Sequence, residues 1–216
     1  MNSEGVTAIK SDGRRERGDR TRSAILEGAA RLASVEGLEG LSIGRLADHL
    51  GISKSGLYAH FRSKEELQLA TILTAEAIYE RDVVAPAIEA PEGAPRLLAF
   101  CDAFFDYVRK GVFPGGCFFV ANSLDPATAR RGRVKELLAR IQRDTLDGIA
   151  EWVRDAQVRD GVASGRDPRD VAFEIDSLMT GADRNFVLFS DPSFLEDGRR
   201  AIYRLLSASL RPAEPL

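Results

Sequence analysis

Apolar residues recur at helical spacing along almost the whole chain, and no alternating run argues for a strand. The clearest stretch runs from Leu41 to Leu67. Ile43, Leu46, Ala47 and Leu50 fall at i, i+3, i+4 and i+7, one apolar stripe of a helix. Gly51 stands where that helix has to stop, because glycine takes the left-handed C-terminal position without a steric clash. Ile52 reads as a buried link. Ser53 then caps a second helix by accepting a bond from an early backbone N–H. That helix, Ser53 to Phe61, turns Leu57 and Phe61 inward and presents Lys54, Ser55, Gly56, Tyr58 and His60 on its other face. A short helix, a tight turn and a second helix with a small, polar, basic outer face predict a helix-turn-helix. Such a face suits a phosphate-lined major groove, since it offers donors, little bulk and no carboxylate.

The remaining periodicity fills in an all-α chain of about nine helices. Residues 1–17 lack a pattern and read as a flexible arm, with Arg14, Arg15, Arg17 and Arg20 clustered at its end. A first helix from about Arg20 to Val35 buries Ile25, Leu26, Ala29, Leu32 and Ala33, and Gly37 ends it. Ser42 caps the second. Ser63-Lys64-Glu65-Glu66 is a capping box opening a fourth helix to about Val84, with Leu67, Ala70, Leu73, Ala77 and Ile78 inward. Pro86, Pro91, Gly93 and Pro95 mark a loop. Further helices are expected from about Pro95 to Lys110 and up to Ser123. Asp125-Pro126, Asp167-Pro168 and Asp191-Pro192 each read as a cap followed by a first helical residue, opening three more. The last two carry more apolar surface than one face needs, which predicts a homodimer through an intermolecular four-helix bundle.

Composition changes the picture in one respect. Residues 1–64 carry 11 basic against 8 acidic residues, while residues 65–216 carry 19 against 25. A chain of net charge −3 therefore holds its phosphate-neutralising capacity at the N-terminal end. Cys101 and Cys117 match no common zinc or thioredoxin-like spacing and fit a reduced, cytoplasmic protein. No secretory signal or membrane-length apolar run stands out. Both histidines, His49 and His60, lie in the helix-turn-helix, so the larger C-terminal part has no histidine for a hydrolase triad or a histidine-based metal site. No phosphate-cradling glycine loop is present either. The expectation is a protein that is not an enzyme and has no cofactor or metal.

The run Gly51-Ile-Ser-Lys-Ser-Gly-Leu-Tyr-Ala-His-Phe-Arg-Ser-Lys-Glu-Glu-Leu67 resembles the recognition segment of the TetR family of one-component transcriptional regulators. The likeness spans about residues 20–70; beyond that it rests on length and helix order. It implies a helix-turn-helix DNA-binding domain at 18–64 after the arm at 1–17, and a ligand-sensing and dimerisation domain at 65–216. It implies a dimer binding a palindromic operator in double-stranded DNA, most often as a repressor released by a small-molecule effector. Lys54, Tyr58, His60 and Lys64 match the family's backbone-contacting positions, and so does Ser42 early in the second helix. Ser53 caps the recognition helix, Ser55 and Gly56 face the bases, and Arg45 lies off the apolar stripe beside them.

In the C-terminal part a surplus of aromatics suggests an apolar pocket, with ordinary core packing as the alternative for each ring. Phe100, Phe104, Tyr107, Phe118, Trp152, Phe173 and Phe186 are the candidate walls, and Asn122 and Asp176 are polar residues set among apolar ones. Cys117, at a helix start, offers a different trigger. A thiol with a lowered pKa there would make the chain a redox or electrophile sensor.

Overall fold

A computed structural model describes residues 4–123 and 132–207, with side chains from Arg20 onward. All regular structure among the described residues is helical. The elements are α1 (Glu4–Gly40), α2 (Ile43–Leu50), α3 (Lys54–Tyr58), α4 (Lys64–Tyr79), a π-helical turn (Glu80–Val84), α5 (Ala85–Glu89), α6 (Ala94–Arg109), α7 (Phe118–Ser123), α8 (Arg133–Asp160), α9 (Pro168–Phe189) and α10 (Ser193–Ser207). Backbone dihedrals stay right-handed from α4 through the π turn into α5. Counting that rod once, the described residues form nine helical units.

Three expectations are corrected here. The stretch read as a flexible arm is helical backbone from Glu4. Elongating a helix already nucleated downstream is easy, and residues 8–17 are rich in helix formers. The side chains of Arg14, Arg15 and Arg17 and the Asp125-Pro126 cap lie outside the described ones. Pro86 does not open a loop but sits in the first turn of α5, immediately after the π turn within the same rod. On α4 the buried face is Leu67, Gln68, Thr71, Ile72 and Ala75, while Leu73 and Ala77 point outward. The buried polar pair is satisfied, since Thr71 donates to Leu67 O one turn back at 2.7 Å and Gln68 reaches across to Leu38 O at 2.5 Å.

That last bond belongs to the joint between the two halves of the molecule. Gly37 kinks α1 at φ 75°, ψ 161°. Side chains from two other helices bond the backbone of the residue that follows. Gln68 of α4 takes the Leu38 carbonyl, and Asn122 of α7 accepts the Leu38 N–H at 2.8 Å. Asn122 also donates to Ala33 O and Phe118 O at 3.3 and 2.9 Å and is completely buried. The loop before α7 lies directly on α1. A Cβ at Gly115 would come 1.8 Å from Ser34 O, so only glycine fits that approach. One continuous apolar core runs through both halves, from Ile25 on α1 to Leu206 on α10.

Candidate DNA interface and ligand cavity

The helix-turn-helix follows from two hydroxyl caps and one glycine. Ser42 accepts the Arg45 N–H at 3.2 Å and opens α2. Gly51 closes it in the left-handed region at φ 65°. Ser53 accepts the Gly56 N–H at 3.1 Å and lies 3.2 Å from the Ser55 hydroxyl. Leu57 and Phe61 are fully buried against α1 and α2, and that anchoring leaves Lys54, Ser55, Gly56 and Tyr58 facing solvent, Tyr58 at 61% exposure. His60 is half-buried, with its ring tilted 6.3 Å from Phe61. Ile52, expected to be buried, is exposed; the Gly51 turn lifts it off the core.

The cations of the helix-turn-helix and its flanking residues, together the head of the molecule, are not equally free. Arg45 forms a two-pronged hydrogen-bonded pair with Glu36, which holds the Glu36 carboxyl below its usual range. The Lys64 ammonium donates to Glu39 O at 2.6 Å and lies 3.0 Å from the Glu39 carboxylate. Arg22 stacks over Phe61 at 5.0 Å. The side chains of Lys54 and Arg62, both exposed, form no ion pair among the described residues, although the Arg62 backbone N–H donates to the Glu66 carboxylate at 2.9 Å. Arg62 is a candidate that the residue pattern left unmarked. Its signal is only its place between two segments that bear on the same face.

Behind the head, α4, the π turn, α6, α7, α8 and α9 line a half-open cavity of about 500 Å³. Its aromatic wall is Tyr79, Phe100, Phe104, Phe119 and Trp152. Phe100 and Trp152 meet edge to face at 5.3 Å, as do Tyr79 and Phe119 at 5.9 Å. Asp176 from α9 is the half-buried acid of the wall, and Gln142 of α8 donates to both its oxygens at 3.2 Å. Burial pushes the Asp176 carboxyl above its usual range. Cys117 also lines the space. Burial, with the Asp183 carboxylate close by, pushes its thiol up to about 12. The expected lowering of that thiol's pKa is therefore reversed, and Cys117 stays protonated and poorly nucleophilic. Asp183 itself accepts the Cys117 N–H at 3.0 Å, and burial raises it to about 6.

Comparison with known proteins agrees with both halves. A model described as bacterial regulatory proteins, tetR family, matches residues 25–71, and a tetracyclin repressor-like C-terminal domain matches residues 93–202. The chain belongs to the TetR family. A TetR transcriptional regulator from Chloroflexus aurantiacus is similar at TM-score 0.79 and 23% identity, over 92% of this chain and 100% of that one. Escherichia coli NemR, in its reduced form, is similar at TM-score 0.72 and 18% identity, over 90% and 100%. AibR, solved with isovaleryl coenzyme A and operator DNA, is similar at TM-score 0.67 and 22% identity, over 88% and 100%. No curated protein matches the chain.

Within this TetR-family fold, Phe100, Phe104, Cys117, Trp152 and Asp176 come together on the cavity wall as the sequence suggested. The other candidates do not. Tyr107 and Phe118 are buried in the aromatic packing behind it, Tyr107 against Tyr79 at 5.9 Å and Phe118 against Phe119 at 5.4 Å. Asn122 serves the α1 joint. Phe186 packs on the core outside the wall, and Phe173 is 64% exposed on the far face of α9. The wall residues that sequence reasoning missed include Tyr79, Glu80 and Val84. They sit at or beside the π turn, where the helical period shifts and a 3.6-residue stripe no longer tells which face a residue takes.

Proposed function

We propose that this chain is a transcriptional repressor. In this reading it acts as a cytoplasmic homodimer, binds a palindromic operator through α3 of each subunit, and releases it when a small molecule fills the cavity. It has no catalytic role. The observation that carries the reading is the outward ridge Lys54-Ser55-Gly56-Tyr58. Its side chains are free for a groove because Leu57 and Phe61 anchor the helix from beneath. Lys54, Tyr58, His60 and the caps of α2 and α3 serve phosphates. Ser55 and Gly56 approach the base edges. Arg45 and Lys64 join only by sharing their carboxylate partners. Residues 18–64 form the head and residues 65–216 the sensing and dimerising body.

Dimerisation through α9 and α10 is supported on α9 by the apolar side chains it leaves uncovered, Phe173, Leu188 and Phe189, each at least 60% exposed, and on α10 by the partly exposed Tyr203. Gly181, with nothing near its Cβ position, suits close approach of a second α9. AibR supplies precedent for a ligand and operator DNA on one such protein. Two physical routes lead from cavity to head. The α4 rod begins at Lys64 and reaches the wall at Glu76 and Tyr79. Phe119, Val120 and Ser123 of α7 line the cavity while Asn122 of the same helix holds Leu38. A ligand that favours one arrangement of these helices shifts the spacing of the two recognition helices. Reaction at Cys117 is the less favoured trigger, because its thiol is buried and protonated.

The test is operator binding. DNA enriched from genomic fragments by the wild-type protein is titrated in salt against Lys54→Ala/Tyr58→Ala. We expect affinity to fall about 100-fold with an unchanged melting temperature. A double variant that binds as tightly as wild type removes the ridge from the interface.

A further inference from the structure

The cavity wall carries charge of one sign. Glu76, Glu80, Asp144 and Asp176 line it, and no lysine, arginine or histidine does. Asp144 has a cation nearby, Arg140 at 3.5 Å, on the exposed side of α8. Glu76 and Glu80 meet none among the described residues. Asp176 is held only by the neutral amide of Gln142. Around these acids stand the five aromatic rings, whose faces attract positive charge through their quadrupoles. An anion entering here would meet carboxylates, Asp176 half-buried and Glu80 and Asp144 on the open, solvent-exposed side, with no guanidinium or ammonium on the wall to receive it. A neutral apolar molecule would be accepted but would leave the Asp176 charge under-solvated. Burial raises that carboxyl above its usual range, so an occupant bearing positive charge is rewarded twice, by the rings and by the acid.

We propose that the occupant is a lipophilic organic cation, with its charge beside Asp176 and its body against Phe100 and Trp152. The proposal rests on the reading of the cavity as the effector site and narrows it to one ligand class. A volume of about 500 Å³ suits a body of two to four rings or their aliphatic equivalent.

The chain has a single tryptophan, and Trp152 is in the wall, so its fluorescence reports occupancy directly. The full-length protein is titrated with three triphenyl probes of similar bulk and different charge: methyltriphenylphosphonium, neutral triphenylphosphine oxide and anionic triphenylacetate. The expected order is cation first, binding at least about tenfold more tightly than the neutral probe, with the anion weakest. Asp176→Asn, nearly isosteric, should weaken the cation about tenfold and leave the neutral probe unchanged. Glu76→Gln, at a half-exposed position, gives a second variant with a smaller loss in the same direction. Equal affinity for cation and neutral probe, or an anion that binds best, overturns the charge assignment while leaving the cavity as a binding site. So does an Asp176→Asn variant that weakens both probes alike. Failure of all three probes to alter Trp152 emission overturns the cavity reading and the charge assignment together.

Discussion

The recognition ridge and the cavity are built on opposite plans. The ridge is convex and contiguous, a few neighbouring side chains lifted into solvent by two buried anchors, Leu57 and Phe61. The cavity is concave and dispersed, its wall drawn from residues between Glu76 and Thr180 on six helical segments. A convex site can change its surface residues without touching the core. A concave one shares its residues with the core, so ligand fit and fold stability are the same contacts. Substitutions should therefore separate cleanly at the head and remain entangled in the body.

The largest effect is expected where the two plans meet. Asn122→Ala removes three hydrogen bonds, leaves the buried Leu38 N–H without its acceptor and opens a small void. At about 1 kcal/mol per bond plus the orphaned donor, the cost is about 4 kcal/mol. That corresponds to a melting-temperature loss of about 10 °C for a chain of this size. DNA affinity measured well below the new melting point should fall much less, because no ridge side chain is altered. A shift of less than about 3 °C would show that Gln68 alone holds the joint.

This contrast also explains how much the sequence disclosed. The head was legible because its logic is local. Caps at Ser42, Ser53 and Ser63 and the left-handed Gly51 act within four residues of their partners, and all were placed by spacing alone. The extent of α1 and the exposure of Ile52 were not, since nothing in a local pattern says whether a core lies underneath. In the body, the helices were found but the cavity wall was only half found. Phe100, Phe104 and Trp152 stood out as aromatics, yet Phe173 looks the same in sequence and faces outward. Tyr79 was hidden by the π turn, and Asn122, read as a ligand contact, holds α1 instead. Only the three-dimensional path of α7 across α1 distinguishes those roles.

The second effect sharpens the contrast through pH. Asp183 is buried with the Cys117 N–H as its partner, and its pKa is raised from the ordinary 3.8 to about 6. Ionising it is harder in the folded chain than in the unfolded one. Its contribution to stability is therefore lost as pH rises from about 4 through 6, and the full penalty remains at pH 7. Asp183→Asn keeps an acceptor for the Cys117 N–H and cannot ionise. The variant should match wild type near pH 4 and exceed it by up to about 3 kcal/mol at pH 7.5. Parallel melting curves across that range would mean that Asp183 is hydrated enough to titrate normally.

The smallest effect tests whether the head's cations are interchangeable. Lys54 is exposed and meets no acid, whereas the Lys64 ammonium is held by the Glu39 carbonyl at 2.6 Å and its carboxylate at 3.0 Å. A cation that must share its charge releases less of the counterion atmosphere when it reaches a phosphate. Lys54→Ala should thus weaken operator binding about tenfold and lower the salt slope by about one, as a full phosphate contact does. Lys64→Ala should cost only about threefold, with a fractional change in slope. Glu39→Gln completes the argument, because it removes the carboxylate while leaving the Glu39 carbonyl contact in place, and should tighten binding about twofold. If Lys64→Ala costs as much as Lys54→Ala and Glu39→Gln changes nothing, the ion pair opens fully on DNA. The two lysines would then be equal contacts, and their difference would belong to the unbound protein alone.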